Sequence, residues 1–335
     1  MTAIRDNTTK LLGCLAGCVF SFALLGAAEA AQIDVPSSGS CEIQLEGSIE
    51  PGDAARLKTV LSALTKRQTV KFCLSSPGGD YMEAIQMIEQ MLASRFEFAT
   101  VVNEGHECYS ACALMFLAGH RQKKTPAPQR YLHVRAVLGF HGPYIKQDDA
   151  KYDPDLVGEA YREGVKAIGL LIGLGKDVLF PESLLNIGLE KGPEEFFLIN
   201  SIDKAGRWKI ELTGYRRPEV LTEQMMFTAC ANNMEWLAPG FTYDLDLGSA
   251  PVLWKSRKYR RLFPEFGDEA AWICVADAYD APSSGPEIDI QWISDGEKPK
   301  PYSLDKNLKA KGGSGVTPLW QTFSRETLLS DLPTR

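Results

Sequence analysis

Ser110 stands at the mouth of the apolar run 111–119, with Ser76-Pro77-Gly78-Gly79 upstream of it and Gly139-Phe140-His141-Gly142 downstream. A hydroxyl at the start of a buried helix, a glycine turn with free backbone N–H groups and a histidine at a strand end are the three parts of a serine hydrolase. Ser110 is the candidate nucleophile. Gly78 and Gly79 reach backbone conformations closed to other residues, so their turn can aim an N–H at the oxygen of a reacting carbonyl. The N–H of Ala111 would be a second donor, because the first N–H groups of a helix have no partner inside it. The competing reading of Ser110 is a plain helix N-cap, which is chemically silent.

A serine hydroxyl needs a base near neutral pH, and imidazole is the usual one. The chain has four histidines. His141 is set apart by the apolar strand that ends in it and by the glycines around it, Gly139 and Gly142, which favour projection into a cleft. His106 and His133 compete for the role, and His120 falls at the far end of the serine helix.

Periodicity outlines the elements that must hold these groups. Residues 41–49 alternate like a half-buried strand, and Pro51-Gly52-Asp53 opens a helix running to about Thr65. Val70 to Leu74 is a second strand, ended by the glycine turn. Apolar residues at 84, 85, 87, 88, 91 and 92 predict a helix over Tyr81 to Ser94. A third strand spans Phe98 to Val102, the Ser110 helix follows, and Val134 to Phe140 is a fourth strand. Alternating strands and helices predict an α/β fold with a mostly parallel sheet, flanking helices and right-handed crossovers. In such sheets ligands gather beyond the carboxyl ends of the strands, where all three motifs lie.

Downstream, the Lys- and Pro-containing stretch from Arg121 to Arg130 reads as a surface loop. Asp155 to Leu179 reads as a helix weakened by Gly164, Gly169, Gly173 and Gly175, and Phe196 to Ile210 as strand, short helix and strand. From Thr222 to Ala281 short alternating runs with Cys230 and Cys274 predict a small, largely β C-terminal domain, and residues 282–335 a linker-like tail. No internal repeat is evident.

Together the motifs resemble the proteolytic subunit of the Clp protease and its exported relatives in the wider Clp/crotonase superfamily. The resemblance covers about residues 41–212 and rests on Leu74-Ser75-Ser76-Pro77-Gly78-Gly79, Tyr109-Ser110-Ala111-Cys112 and Gly139-Phe140-His141-Gly142-Pro143. It implies a Clp/crotonase-like catalytic domain over about 31–215. Ser110 would be the nucleophile, His141 the general base, and Gly79 with Ala111 the oxyanion hole. The family places a carboxylate just before a segment matched here by Phe196-Phe197-Leu198-Ile199-Asn200-Ser201, which points to Glu195 or Glu194 as the orienting acid. No aspartate stands there, so Asp177 and Asp203 remain alternatives. Relatives with this core form rings or trimers, which makes a homo-oligomer an expectation.

Composition bounds the classes. At 335 residues the chain can bury a large core, and its net charge of -7 with no basic block speaks against nucleic-acid binding. The N-terminus carries Arg5 and Lys10, an apolar run from Leu11 to Ala27 and the small-x-small site Ala28-Glu29-Ala30. That is the pattern of a secretory signal peptide, cleaved after Ala30 or Ala31, and implies a periplasmic or secreted protein. An uncleaved anchor is the alternative, although the run falls short of the ~20 residues of a spanning helix. A lipobox-like Leu15-Ala16-Gly17-Cys18 has its apolar segment mostly on the wrong side of the cysteine. Beyond the leader lie Cys41, Cys73, Cys108, Cys112, Cys230 and Cys274, an even count that reads as disulfides. Six cysteines allow fifteen connectivities; locality in sequence suggests Cys41 with Cys73 and Cys230 with Cys274, leaving Cys108 and Cys112 for each other.

The expected activity is that of an exported, ATP-independent serine peptidase acting on peptides or unfolded protein. No metal, nucleotide or other cofactor is required, and no ATPase partner is expected outside the cytoplasm. Among the rivals, His106, Cys108, Cys112 and His120 could be drawn as a zinc site. Lys123, Lys124 or Lys166 could serve a serine–lysine dyad, and the crotonase branch would bring acyl-CoA chemistry. A catalytically silent binding module on the same fold is the main alternative from another class.

Overall fold

The computed structural model describes residues 31–65, 69–121, 126–144, 154–192, 194–237, 239, 252–255, 259–262, 264–266, 272–281, 285–294 and 317–335. The leader predicted over residues 1–30 lies outside these, as do Lys123 and Lys124. In chain order the first half runs β1 (Gln32–Asp34), β2 (Ile43–Glu46), α1 (Asp53–Ala63), β3 (Thr69–Ser75), α2 (Tyr81–Ala93), β4 (Glu97–Val102), β5 (Glu107–Tyr109), α3 (Ala111–Leu117), β6 (His120–Arg121), β7 (Ala127–Pro128), β8 (Arg130–His133) and β9 (Val137–Phe140). Then come α4 (Pro154–Val178), α5 (Glu182–Leu189), β10 (Phe197–Leu198), α6 (Ile202–Arg207) and β11 (Glu211–Thr213). The last part holds α7 (Glu223–Leu237), β12 (Val252–Lys255), β13 (Tyr259–Leu262), β14 (Glu265–Phe266), β15 (Trp272–Ala281) and β16 (Gly285–Ser294), followed by two short 3-10 turns.

The fold is mixed α/β. Strands β2, β3, β4, β8 and β11 run parallel in the main sheet, β1 adds antiparallel to β2, and β6 and β7 extend from β4. The parallel strands need crossovers, and the helices supply them. Helix α2 is closed at its start by Asp80, whose side chain accepts from Glu83 N–H at 2.8 Å. Its apolar stripe, Ala84, Ile85, Met87, Ile88 and Met91, is buried. Glu83 in turn accepts from the N–H groups of Gly52 and Ala54, so α2 supplies the cap that α1 lacks. A second sheet, β10-β9-β5, meets the first where Ser76 pairs with Cys108.

The strand predicted over Val134–Phe140 forms only in its second half, as β9, while β8 ends at His133, before the predicted start. A turn closed by Ala136 N–H on His133 O sends β8 into the main sheet and β9 into the second one. The apolar residues of Val134–Phe140 do not announce that change of sheet, because Leu132 of β8 and Leu138 of β9 are both buried whichever sheet the strand joins. The loop expected over Arg121–Arg130 holds, among its described residues, two short strands. The weakened helix forms in full as the 25-residue α4. Burial of Ala167 and Leu171 offsets its glycines. Among the described residues no helix is long and apolar enough to cross a membrane.

The predicted domain at 222–281 begins with α7, and its five-stranded antiparallel sheet includes β16, beyond the expected boundary. So the tail expected over 282–335 is corrected: 285–294 is a full strand, and 317–335 packs on the core. Alternation of Ile288, Ile290 and Trp292 builds β16, and its Pro-, Gly- and acid-rich flanks obscure that signal. Trp320 and Leu329 are buried, Leu328 pairs with Ser201, and Thr334 pairs with Tyr215.

The indole N–H of Trp320 donates to Glu211 Oε1 at 2.9 Å. Burial pushes the Glu211 carboxyl up to about 7, which the Trp320 hydrogen bond only partly opposes. Folding then favours the protonated acid. Its contribution is complete below the unfolded value of 4.5, falls as pH rises towards about 7, and stays lost above it. At ~1.4 kcal/mol per pKa unit the loss reaches about 3 kcal/mol. Glu211→Gln keeps the acceptor and cannot ionise, so it should raise the melting temperature at pH 8 and leave it nearly unchanged at pH 4. Equal melting temperatures for variant and native chain at pH 8 would refute this.

Candidate active site

The end of β3 is stitched to β5: Ser76 N–H donates to Glu107 O at 2.8 Å and Tyr109 N–H to Ser76 O at 3.1 Å. The glycine turn that follows is committed except at one point. Gly78 N–H donates to Ser76 Oγ, Ile49 N–H donates to Gly78 O, and Asp80 N–H donates to Ile49 O. Among the described residues, Gly79 N–H has no acceptor. Both positions demand glycine, with φ of 100° at Gly78 and 140° at Gly79. A Cβ on Gly79 would lie 2.1 Å from Ile49 O. A Cβ on Gly78 would lie 2.7 Å from Ser110 Cβ and 3.3 Å from Ala111 N, so the turn touches the serine segment directly.

Ser110 has φ 55° and ψ −122°, a conformation uncommon for a residue with a side chain. Its N–H donates to Gly139 O at 3.0 Å, and its carbonyl accepts from Leu114 N–H at 3.2 Å, which starts α3. It sits at the N-cap of α3, yet its side chain makes no capping hydrogen bond. Among the described residues the hydroxyl has no hydrogen-bond partner. Ala111 N–H, the next donor along, also has no acceptor among the described residues. Two free N–H groups and one free hydroxyl therefore belong to segments in contact.

His141 follows β9 directly, two residues after the Gly139 whose carbonyl holds Ser110. Its Nδ1 lies 2.6 Å from Gly142 O. A carbonyl only accepts, so Nδ1 is the donor, and in the neutral ring it is Nε2 that has the lone pair a base requires. The ring packs edge-on against Phe196 at 4.9 Å between centroids, with Tyr144 at 5.4 Å. Phe196 also lies 4.8 Å from the Tyr109 ring. Among the described residues, no hydrogen bond joins His141 to Ser110 or to a carboxylate.

The expected orienting acids are placed otherwise. Glu195 is 70% exposed and pairs with Lys191 at 3.9 Å, and Glu194 is exposed. Asp203 bonds Arg207 at 3.0 Å and the Trp236 indole. Asp177 lies in α4, its side chain outside the description. The backbone carbonyl of Gly142 holds the position where an acid was expected, and neither it nor the Phe196 contact could be read from residue types.

The other histidines serve elsewhere. His120 Nδ1 bonds Ala118 O, and His133 packs on Gly214, with burial lowering its pKa. His106 closes the turn into β5, its N–H donating to Asn103 O at 3.1 Å. Lys166 is exposed and pairs with Glu163 at 3.4 Å. The drawn zinc site loses its thiolates, because Cys108 is bonded to Cys112. Cys41 is joined to Cys73 and Cys230 to Cys274. Three disulfides fit a periplasmic or extracellular location.

Two cavities among the described residues, about 600 and 890 Å³, flank buried Arg130, and neither is lined by Ser110 or His141. Arg130 donates to Leu117 O and Leu179 O, tying the ends of α3 and α4 together. No protein-family model matches the chain, and no curated protein matches its sequence.

Proposed function

We propose that the chain is an exported serine hydrolase with a Clp/crotonase-like core, a peptidase that works through an acyl-enzyme. The observation that carries this is the Ser110 hydroxyl at positive φ without a capping bond, with two N–H groups nearby, of Gly79 and Ala111, that have no acceptor among the described residues. A sharp turn that presents a hydroxyl next to unpaired donors is what acyl transfer needs.

In the proposed reaction, His141 Nε2 takes the Ser110 proton as Oγ bonds to the scissile carbonyl carbon. The carbonyl oxygen becomes an anion, held by Gly79 N–H and Ala111 N–H. The imidazolium returns its proton to the leaving amine as the C–N bond breaks. Water, deprotonated by Nε2, then releases the acyl group. Gly142 O keeps the imidazole in the required tautomer, the task the resemblance assigns to Glu195. Substrates would be short peptides or protein already unfolded, with no ATPase to unfold them.

The test is reaction with a fluorophosphonate probe followed by peptide mass analysis. A single adduct on the peptide bearing Ser110 is expected. One observation favours the second reading, a silent peptide-binding module: His141 is bonded to neither Ser110 nor a carboxylate. Such bonds often tighten only with substrate in place. Absence of any adduct would decide for the binding module.

A further inference from the structure

We infer that the Cys108–Cys112 bridge is a positioning device for Ser110, and that its oxidation switches the hydrolase on after export. This rests on the proposed function.

Position comes first. The bridged residues lie two before and two after Ser110, one in β5 and one in the first turn of α3. Their Cα atoms are 5.3 Å apart. A chain of four residues can extend about 13 Å, so the bridge holds this segment folded back on itself. Ser110 carries the reversal, at φ 55° and without glycine's freedom. Two backbone hydrogen bonds also hold it, from its own N–H to Gly139 O and from Leu114 N–H to its carbonyl. The bridge adds a covalent tie across the turn that these bonds flank.

The other two bridges differ in what they constrain. Cys41–Cys73 spans 32 residues and Cys230–Cys274 spans 44, whereas Cys108–Cys112 spans 4. Closing so short a loop removes the least entropy from the unfolded chain, so this bridge is the poorest general stabiliser of the three. Its effect is local, and the residue at its centre is the nucleophile.

The chemistry is thiol–disulfide exchange. The thiolate of one cysteine attacks a disulfide-bearing oxidant to form a mixed disulfide, and the second thiolate displaces the oxidant's sulfur. The oxidant leaves as a dithiol, having gained the two electrons and two protons that the cysteines lose. In a reducing cytoplasm the pair stays as thiols and the elbow is not held. Both cysteines are 0% exposed once folded, so the bridge forms during folding outside the cytoplasm and is then shielded from reductants. The device acts once, in one direction.

The experiment compares native chain, Cys108→Ala/Cys112→Ala and Cys41→Ala/Cys73→Ala by fluorophosphonate labelling rate, kcat, KM and thermal unfolding. Removing the bridge at Ser110 should slow labelling and lower kcat by about 100-fold, the scale of a misplaced reacting group. KM should change little. The Cys41→Ala/Cys73→Ala variant should lose thermal stability and keep its labelling rate while folded. Native-like labelling of the Cys108→Ala/Cys112→Ala variant would overturn the inference. Should that variant not fold, Cys108→Ser/Cys112→Ser, closer in volume, takes its place with the same outcomes. If the native chain itself is never labelled, the proposed function has failed on its own, and the crystal structures of native and bridge-free chains decide. Ser110 leaving positive φ supports the positioning role, and Ser110 keeping it overturns that role.

Discussion

Ser110→Ala is expected to abolish turnover, lowering kcat about 10⁶-fold, while leaving the melting temperature within a degree or two of the native chain. The two halves of this result separate the two readings of the residue. A capping serine bonds an N–H of the first helical turn, and its loss typically costs ~1 kcal/mol of stability. Ser110 makes no such bond, so removing the hydroxyl deletes no hydrogen bond among the described residues. Alanine also keeps the Cβ, so the backbone at φ 55° is no more strained than before. Thermal unfolding alongside a peptidase assay gives both numbers. A marked drop in stability with turnover intact would make Ser110 a cap and nothing more.

His141→Ala should lower kcat by about 10⁴-fold, at the upper end of what a positioned base contributes. Fluorophosphonate labelling should slow with it, because the same proton must leave the hydroxyl. The ring makes contacts of its own with Phe196 and Tyr144, so some stability will go as well. His141→Asn fills part of that space without supplying a base. Equal losses of kcat in the two variants, with a smaller stability loss in the asparagine one, identify the effect as proton transfer. An asparagine variant that retains native kcat would remove His141 from the mechanism.

Much of the site was legible because its demands are local. A glycine pair where backbone touches backbone, a serine before an apolar run and cysteines four apart are patterns of neighbouring residues. The first strands and helices were legible too, since Val70 to Leu74 and the stripe on α2 each bury one continuous face. What stayed hidden depends on partners distant in sequence. Nothing in Gly142 foretells that its carbonyl faces the imidazole, and nothing in Glu195 foretells Lys191 in its way. The passage of the chain from β8 to β9 depends on distant neighbours too, since Leu132 pairs with Val102 in one sheet and Leu138 with Cys108 in the other. Residues 317–335 looked like a tail because their few apolar groups have no period of their own. They fill gaps prepared by α6, β11 and α7.

That return of the chain changes how the parts should be counted. After Tyr215 the described chain runs through α7, which packs on α6, and the five-stranded sheet, and residues 317–335 then lie against the same core, with Thr334 beside Tyr215. What looked like an appendage is therefore an insertion, a side branch whose entry and exit open on one core. Cutting at residue 215 would not liberate a finished unit, because Trp320, Leu329 and Leu332 would go with the discarded piece and leave their greasy seats open to water. Evolution could lengthen, shorten or exchange such a branch without rethreading the scaffold that carries Ser110.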